Sequence, residues 1–145
     1  RYLREQVTRD IRRRVAACFV ALNDQARIAG YYTLASASLM LSDLPADVAK
    51  KLPRYPTVPA VRMGRLAVDQ AFGGQGLGSA LLADGLDWAT RSEIAAYALM
   101  VDAKDDRAAA FYDHHGFIAL PDPPLTLFLP LATAQAYRRA GEKPQ

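Results

Sequence analysis

Between residues 61 and 91 the sequence passes from strand to glycine loop to helix, and this order constrains the chain more than any other feature. Residues 61–68 (VRMGRLAV) have strand character, and residues 69–78 (DQAFGGQGLG) concentrate glycine at 73, 74, 76 and 78. From Gly76 onward Leu77, Ala80, Leu81, Leu82, Leu86 and Trp88 recur as the buried face of a helix that runs to about Arg91. Glycines in that setting let the backbone come close to a ligand and aim several N–H groups at one point, the positive end of the helix dipole. A nest of this kind suits a diphosphate, so the expected ligand is a nucleotide-like cofactor. For a glycine run taken alone, a tight turn that only packs helix on sheet is the competing reading.

The flanking pattern predicts a mixed α/β domain. Leu3, Val7 and Ile11 at spacings of four predict an amphipathic helix over 2–13 with its arginines outward. An apolar strand over 15–22, turn residues Asn23-Asp24-Gln25, and a second strand over 27–41 make a hairpin. Prolines bracket residues 44–59, where a short helix over 46–52 leads into an irregular connection. Further on come a strand over 97–101, a helix over 105–115 opened by acidic residues and stopped by Gly116, and a strand over 125–129. The tail from 132 to 145 starts helical and frays at its polar end. With 145 residues, 51% of them hydrophobic, the chain fits one domain over 1–145. The first residue is Arg rather than Met, and a native N-terminal segment is expected to precede it.

Several classes are excluded. One cysteine, Cys18, makes no internal disulfide, and two histidines with it are too few for a self-contained zinc cluster, so no metal site is expected. No apolar run approaches the ~18–20 residues of a membrane span, and the start of the chain lacks a signal-peptide core, which points to a cytoplasmic protein away from membranes. Basicity is local: Arg1, Arg4, Arg9, Arg12, Arg13 and Arg14 face only Glu5 and Asp10, whereas the whole chain carries a net charge of +3. Such a cluster suits a polyanion, because neutralised phosphates release counterions, although a solvated face explains it as well.

Neither of two common phosphate loops fits. A Walker loop requires Gly-Lys followed by Ser or Thr, and no lysine lies here. Gly74-x-Gly76-x-x-Ala80 matches the dinucleotide fingerprint loosely, and the acidic residue wanted ~20 positions on would be Glu93, at the end of the helix. The segment Gly73-Gly74-Gln75-Gly76-Leu77-Gly78, followed by Ser79-Ala80-Leu81-Leu82, instead resembles the loop of the GCN5-related N-acetyltransferases. One departure is Gly73, where that family usually has Arg or Gln. Ala109-Ala110-Phe111-Tyr112-Asp113-His114-His115-Gly116-Phe117 resembles the family's Phe-Tyr-x-x-x-Gly-Phe ending, and Leu66-Ala67-Val68 its pantetheine-pairing strand.

The resemblance spans about residues 14–130. It implies the family's fold, a central, mostly antiparallel mixed sheet flanked by helices, and acetyl-CoA as cofactor. By that analogy Leu66, Ala67, Val68, Gly73, Gly74, Gln75, Gly76, Leu77, Gly78, Ser79 and Phe111 contact coenzyme A. The Val68 N–H would face the thioester oxygen. Asp105, by the same analogy also near coenzyme A, stands where many members carry Asn, a second departure. Gly30-Tyr31-Tyr32-Thr33-Leu34-Ala35, Arg65-Leu66-Ala67-Val68-Asp69 and Phe111-Tyr112 together resemble the acetyltransferase toxins of type II toxin–antitoxin pairs. That implies acetylation of the α-amino group of aminoacyl-tRNA, arrest of translation, and a ribbon-helix-helix antitoxin with which the toxin helps repress its operator. Operator DNA is then a partner only with the antitoxin.

The chemistry agrees with that acceptor. A lysine amine of pKa about 10.4 profits from a carboxylate base, whereas an α-amine near about 7.7–8.0 is already partly neutral. The chain has only three glutamates, Glu5, Glu93 and Glu142, none on the strand before the loop. Tyr112 is the candidate general acid for the departing thiolate, against the alternative of a core tyrosine. Tyr31 and Tyr32 are expected to pack in the hairpin, one of them lining the acceptor pocket. His114 and His115 are expected to form a surface pair and Cys18 to be inert. Arg9, Arg12, Arg13, Arg14 and Arg65 are the candidate tRNA contacts, Arg65 having Asp69 as an alternative partner. A homodimer would widen that surface. Competing readings are a small-molecule or protein N-acetyltransferase, and a coenzyme A-binding or nucleic-acid-binding module without turnover.

Overall fold

The computed structural model describes residues 4–9, 16–74 and 76–142, with 4–9 and 137–142 described by their backbone. Among the described residues seven strands form one sheet: β1 (Arg4–Arg9), β2 (Ala17–Leu22), β3 (Ile28–Met40), β4 (Thr57–Val68), β5 (Ala98–Asp102), β6 (Ile118–Ala119) and β7 (Thr126–Pro130). Their spatial order is β1-β2-β3-β4-β5-β7-β6. The helices are α1 (Ala46–Ala49), α2 (Leu77–Arg91), α3 (Asp106–His114) and α4 (Leu131–Glu142), with 3-10 turns at Leu41–Asp43 and Gln70–Phe72.

Every pairing is antiparallel except β4 with β5, which are joined through α2. The expected mixed, mostly antiparallel sheet is therefore what forms. Cores lie on both of its faces. Alternation along β5 sends Leu99 and Val101 to one side and Ala98 and Met100 to the other, and β7 likewise splits Leu127 and Leu129 from Phe128. This two-sided burial explains why both strands read as unbroken apolar runs. The first face carries Leu77, Leu81, Leu82 and Ala89 of α2, and the second is closed by Leu44 with Val48 and Ala49 of α1.

Three expectations need correction. Residues 4–9 form an edge strand in register Arg4↔Leu22 to Arg9↔Ala17, not a helix. A spacing of four is also even, so the apolar pattern at 3, 7 and 11 serves one face of a strand as well as one stripe of a helix. The open edge of β2 decides, because its backbone groups need partners. Next, β4 begins at Thr57, before the expected Val61. Pro59 is tolerated because pairing with β5 starts only at Ala60, and the Pro59 carbonyl accepts a hydrogen bond from Tyr97 N–H at 2.8 Å. Finally, the buried positions of α2 include Gly85 and Ala89, whereas Ala80 is exposed and Trp88 is 46% exposed beside Phe19. The two-residue β6 is too short to leave a periodic signal.

Candidate active site

The site begins with a defect in the sheet. Between Tyr32↔Leu66 and Leu34↔Met63, β4 places Gly64 and Arg65 opposite the single residue Thr33, a bulge whose Arg65 N–H donates to Thr33 Oγ1 at 3.1 Å. A bulge bends its strand. Pairing of β4 with β5 stops at Met63↔Val101, so Leu66, Ala67 and Val68 keep β3 on one side and have no β5 residue opposite them on the other. A cleft of about 370 Å³ opens there, lined by Tyr31, Arg65, Leu66, Ala67, Lys104 and Tyr112 among others. Alternation on β3 divides the two tyrosines: Tyr32 is fully buried, stacked on Phe19 at 4.8 Å and hydrogen-bonded to Asp84, while Tyr31 faces the cleft.

At the next turn of the chain lies the glycine loop. Asp69 caps the 3-10 turn by accepting from Ala71 N–H at 2.8 Å, and it pairs with Arg27 at 3.9 Å rather than with Arg65. Arg27 also sits 5.7 Å over the Phe72 ring, tying the loop entry to the β2–β3 hairpin. Gly74 and Gly76 both take φ +77°, and Gly76 is the N-cap of α2. No heavy atom lies within 4 Å of a Cβ built at either residue, so backbone conformation is what requires glycine there. A Cβ at Gly78 would lie 3.7 Å from the Phe111 ring and 4.0 Å from Val68 Cγ2. The end of β4, the glycine loop and the N-terminus of α2 thus adjoin, an arrangement of backbone donors beside an apolar wall that suits a cofactor carrying a diphosphate.

Tyr112, on α3, lines the cleft beside β4. It is 8% exposed, with Phe111 edge-on at 5.2 Å and Phe117 at 5.4 Å. Burial pushes its pKa above the ordinary phenol value, so the hydroxyl keeps its proton at neutral pH. Asp105 is the N-cap of α3 and accepts from Ala108 N–H at 2.8 Å. His114 is exposed, but His115 is not its surface twin: it is half-buried, with Nε2 3.0 Å from Ser79 Oγ. Burial, and then the neighbouring His114, lower the His115 pKa and favour the neutral imidazole. Cys18 is half-buried in β2.

Of the residues singled out from the sequence, Leu66, Ala67, Val68, Gly78, Ser79, Phe111 and Tyr112 converge on one region. Arg65 lines the same cleft, Arg9 ends the distant edge strand, and Gln75, Arg12, Arg13 and Arg14 lie outside the described residues. Lys104 and Asp102 on the cleft wall were not anticipated. Asp102 is hydrogen-bonded to Arg62 and to Thr126 Oγ1, the latter at 2.7 Å, so the cleft's carboxylate is already engaged. Gly64, isolated within a strand pattern, was the available sign of the bulge.

Comparison with known proteins places the chain among relatives of known type. Residues 2–117 match the model of the acetyltransferase (GNAT) family. A tRNA-acetylating toxin of Mycobacterium tuberculosis is 37% identical over 137 residues, covering 93% of this chain and 81% of that protein. Among solved structures, AtaT complexed with acetyl-methionyl-tRNAfMet superposes with a TM-score of 0.78 at 28% identity, covering 88% of this chain and 78% of the other. AtaTR bound with AcCoA gives 0.73 at 28% identity over 88% and 77%. The AtaT–AtaR complex bound to DNA gives 0.67 at 25% identity over 88% and 75%. With strand bulge, split sheet, glycine loop and Phe-Tyr helix all present in the matched span, this chain belongs to the acetyltransferase (GNAT) family.

Proposed function

We propose that this chain is a toxin acetyltransferase that moves the acetyl group of acetyl-CoA to the α-amino group of aminoacyl-tRNA. The observation that carries the reading is the protonated, buried Tyr112 facing a cleft beside a glycine loop, in a family whose similar members include a tRNA-acetylating toxin. Leu66, Ala67 and Val68, the glycines at 73, 74, 76 and 78, and the first turn of α2 through Leu77 and Ser79 hold the cofactor, with Gln75 and Phe111 beside them. The cofactor supplies an activated acetyl thioester. The neutral amine would form the C–N bond as the C–S bond breaks. The Val68 N–H would stabilise charge on the carbonyl oxygen, and the Tyr112 hydroxyl would give its proton to the departing sulfur. The proton shed by the acylated nitrogen would pass to solvent as the phenol is reprotonated. Asp105 serves the site by starting α3.

No unengaged carboxylate lines the cleft among the described residues, which favours an α-amine that is partly neutral without a base. Arg65 and the arginines at 9, 12, 13 and 14 hold tRNA phosphates, which fixes orientation without reading sequence. Residues 1–145 act as one cytoplasmic acetyltransferase domain, forming a homodimer. A ribbon-helix-helix antitoxin neutralises it, and operator DNA is bound only with that partner. No described helix is long and apolar enough to cross a membrane.

The test is transfer of labelled acetyl from acetyl-CoA to total charged tRNA, beside uncharged tRNA and the Tyr112→Phe variant. Label in charged tRNA only, reduced ~10²–10⁴-fold in the variant, is expected. Label absent from tRNA despite acetyl-CoA binding refutes the tRNA acceptor in favour of a small-molecule or protein amine.

A further inference from the structure

One polar contact near the cleft has no part in that chemistry, yet it joins the two elements the chemistry needs. Ser79, the third residue of α2, places Oγ 3.0 Å from Nε2 of His115. His115 is the C-cap of α3, three residues beyond Tyr112, and its N–H donates to the Tyr112 carbonyl at 3.0 Å, as does Phe117 N–H at 3.1 Å. Phe111 packs edge-on against both His115, at 4.9 Å, and Tyr112, and its ring borders Gly78. The end of α3 that carries Tyr112 is thereby coupled to the first turn of α2.

Besides this polar contact, α2 and α3 share apolar packing, with Phe111 against Gly78 and Tyr112 in one core cluster with Leu77 and Leu81. They meet through side chains rather than through close backbone approach. The Ser79–His115 pair borders a cavity of about 520 Å³ along α2, lined also by Leu82, Leu86, Leu129 and Ala134. With open space beside His115, the side chain has room to shift once the bridge is cut.

We propose that the Ser79–His115 hydrogen bond is a positioning brace: it sets the distance between the diphosphate-holding turn of α2 and the Tyr112 hydroxyl. His115 is thus a positioning residue that acts through Tyr112. This inference rests on the reading of the glycine loop as the cofactor cradle and of Tyr112 as the acid. A misplacement of about 1 Å costs up to ~10²-fold in rate, so His115→Ala should lower kcat roughly tenfold and raise the KM for acetyl-CoA several-fold. Ser79→Ala, which keeps the backbone N–H, should act alike, and the double variant should be no worse than either single one. His115→Gln, whose amide nitrogen reaches as far as Nε2, should restore most of kcat.

The experiment is steady-state kinetics of these variants in the wild-type and Tyr112→Phe backgrounds, with melting temperature as the check on folding. In the Tyr112→Phe background, loss of the brace should change kcat by less than about twofold, since no proton donor remains to be placed. An undiminished loss in that background, or failure of His115→Gln to restore activity, refutes the brace. Wild-type kinetics in both His115→Ala and Ser79→Ala, with Tyr112→Phe impaired, overturns the brace alone. Full kcat in Tyr112→Phe overturns the acid assignment and the brace with it. If His115→Ala fails to fold, Ser79→Ala carries the same comparison.

Discussion

A methyl group at Gly30 probes whether the close approach of β3 and β4 shapes the cleft wall. Gly30 pairs with Val68, and a Cβ on it would lie 2.7 Å from the Ala67 carbonyl oxygen and 2.9 Å from Leu81 Cδ1. The leucine end can rotate away. The carbonyl cannot, because it belongs to the strand whose opposite edge lines the cleft, and ordinary contact at 3.4 Å requires a movement of about 0.7 Å. Overpacking of this kind costs ~1–3 kcal/mol. At ~2–4 °C per kcal/mol for a chain of this size, Gly30→Ala should lower Tm by roughly 2–12 °C. Displacing Ala67 by most of an ångström should also lower turnover by up to ~10²-fold, with folding still cooperative. Thermal melts followed by circular dichroism, with initial rates of acetyl transfer on the same preparations, measure both. A Tm within about 1 °C of wild type together with unchanged kcat would refute the argument that this contact positions the strand.

Two further outcomes follow from the site. Asp105→Ala removes the cap of α3 and should cost ~0.5–2 kcal/mol in urea denaturation, whereas Asp105→Asn keeps an acceptor for Ala108 N–H and should cost much less; equal losses in the two variants would contradict the capping role. Burial raises the Tyr112 pKa, and an acid's contribution is present below its pKa and lost above it, so kcat should rise with deprotonation of the α-amine near about 7.7–8.0 and stay level to beyond about pH 9. A decline that sets in below about pH 9 and disappears in Tyr112→Phe would show the phenol ionising too early for this role.

The glycine loop and the Phe-Tyr helix were legible because each is local chemistry. Left-handed backbone at Gly74 and Gly76 demands glycine within a few residues, and α3 announces its start and end through Asp105 and Gly116. The interior strands β5 and β7 were legible for a related reason, since burial on both faces forces an unbroken apolar run. The alternation that separates Tyr31 from Tyr32 was likewise present in the letters, although which of them would face the cleft was not.

Tertiary structure decided the rest. Residues 4–9 have a pattern compatible with strand or helix, and only the unpaired edge of β2 selects the strand. Trp88 satisfies a helical pattern yet remains 46% exposed, because the surface of the sheet, not the helix, sets which arc of α2 is covered. The parting of β4 from β5 arises from one extra residue in a strand, a mismatch that exists only relative to the partner strand β3. The Ser79–His115 contact joins residues 36 positions apart. The sequence by itself determined the glycine loop, the Phe-Tyr helix and, through the family resemblance these motifs carry, the class of fold, because the motifs depend on backbone conformation and side-chain pattern within a few residues. The cleft, and the engagement of Asp102 by Arg62 and Thr126, depend on contacts between distant strands, which no local pattern encodes.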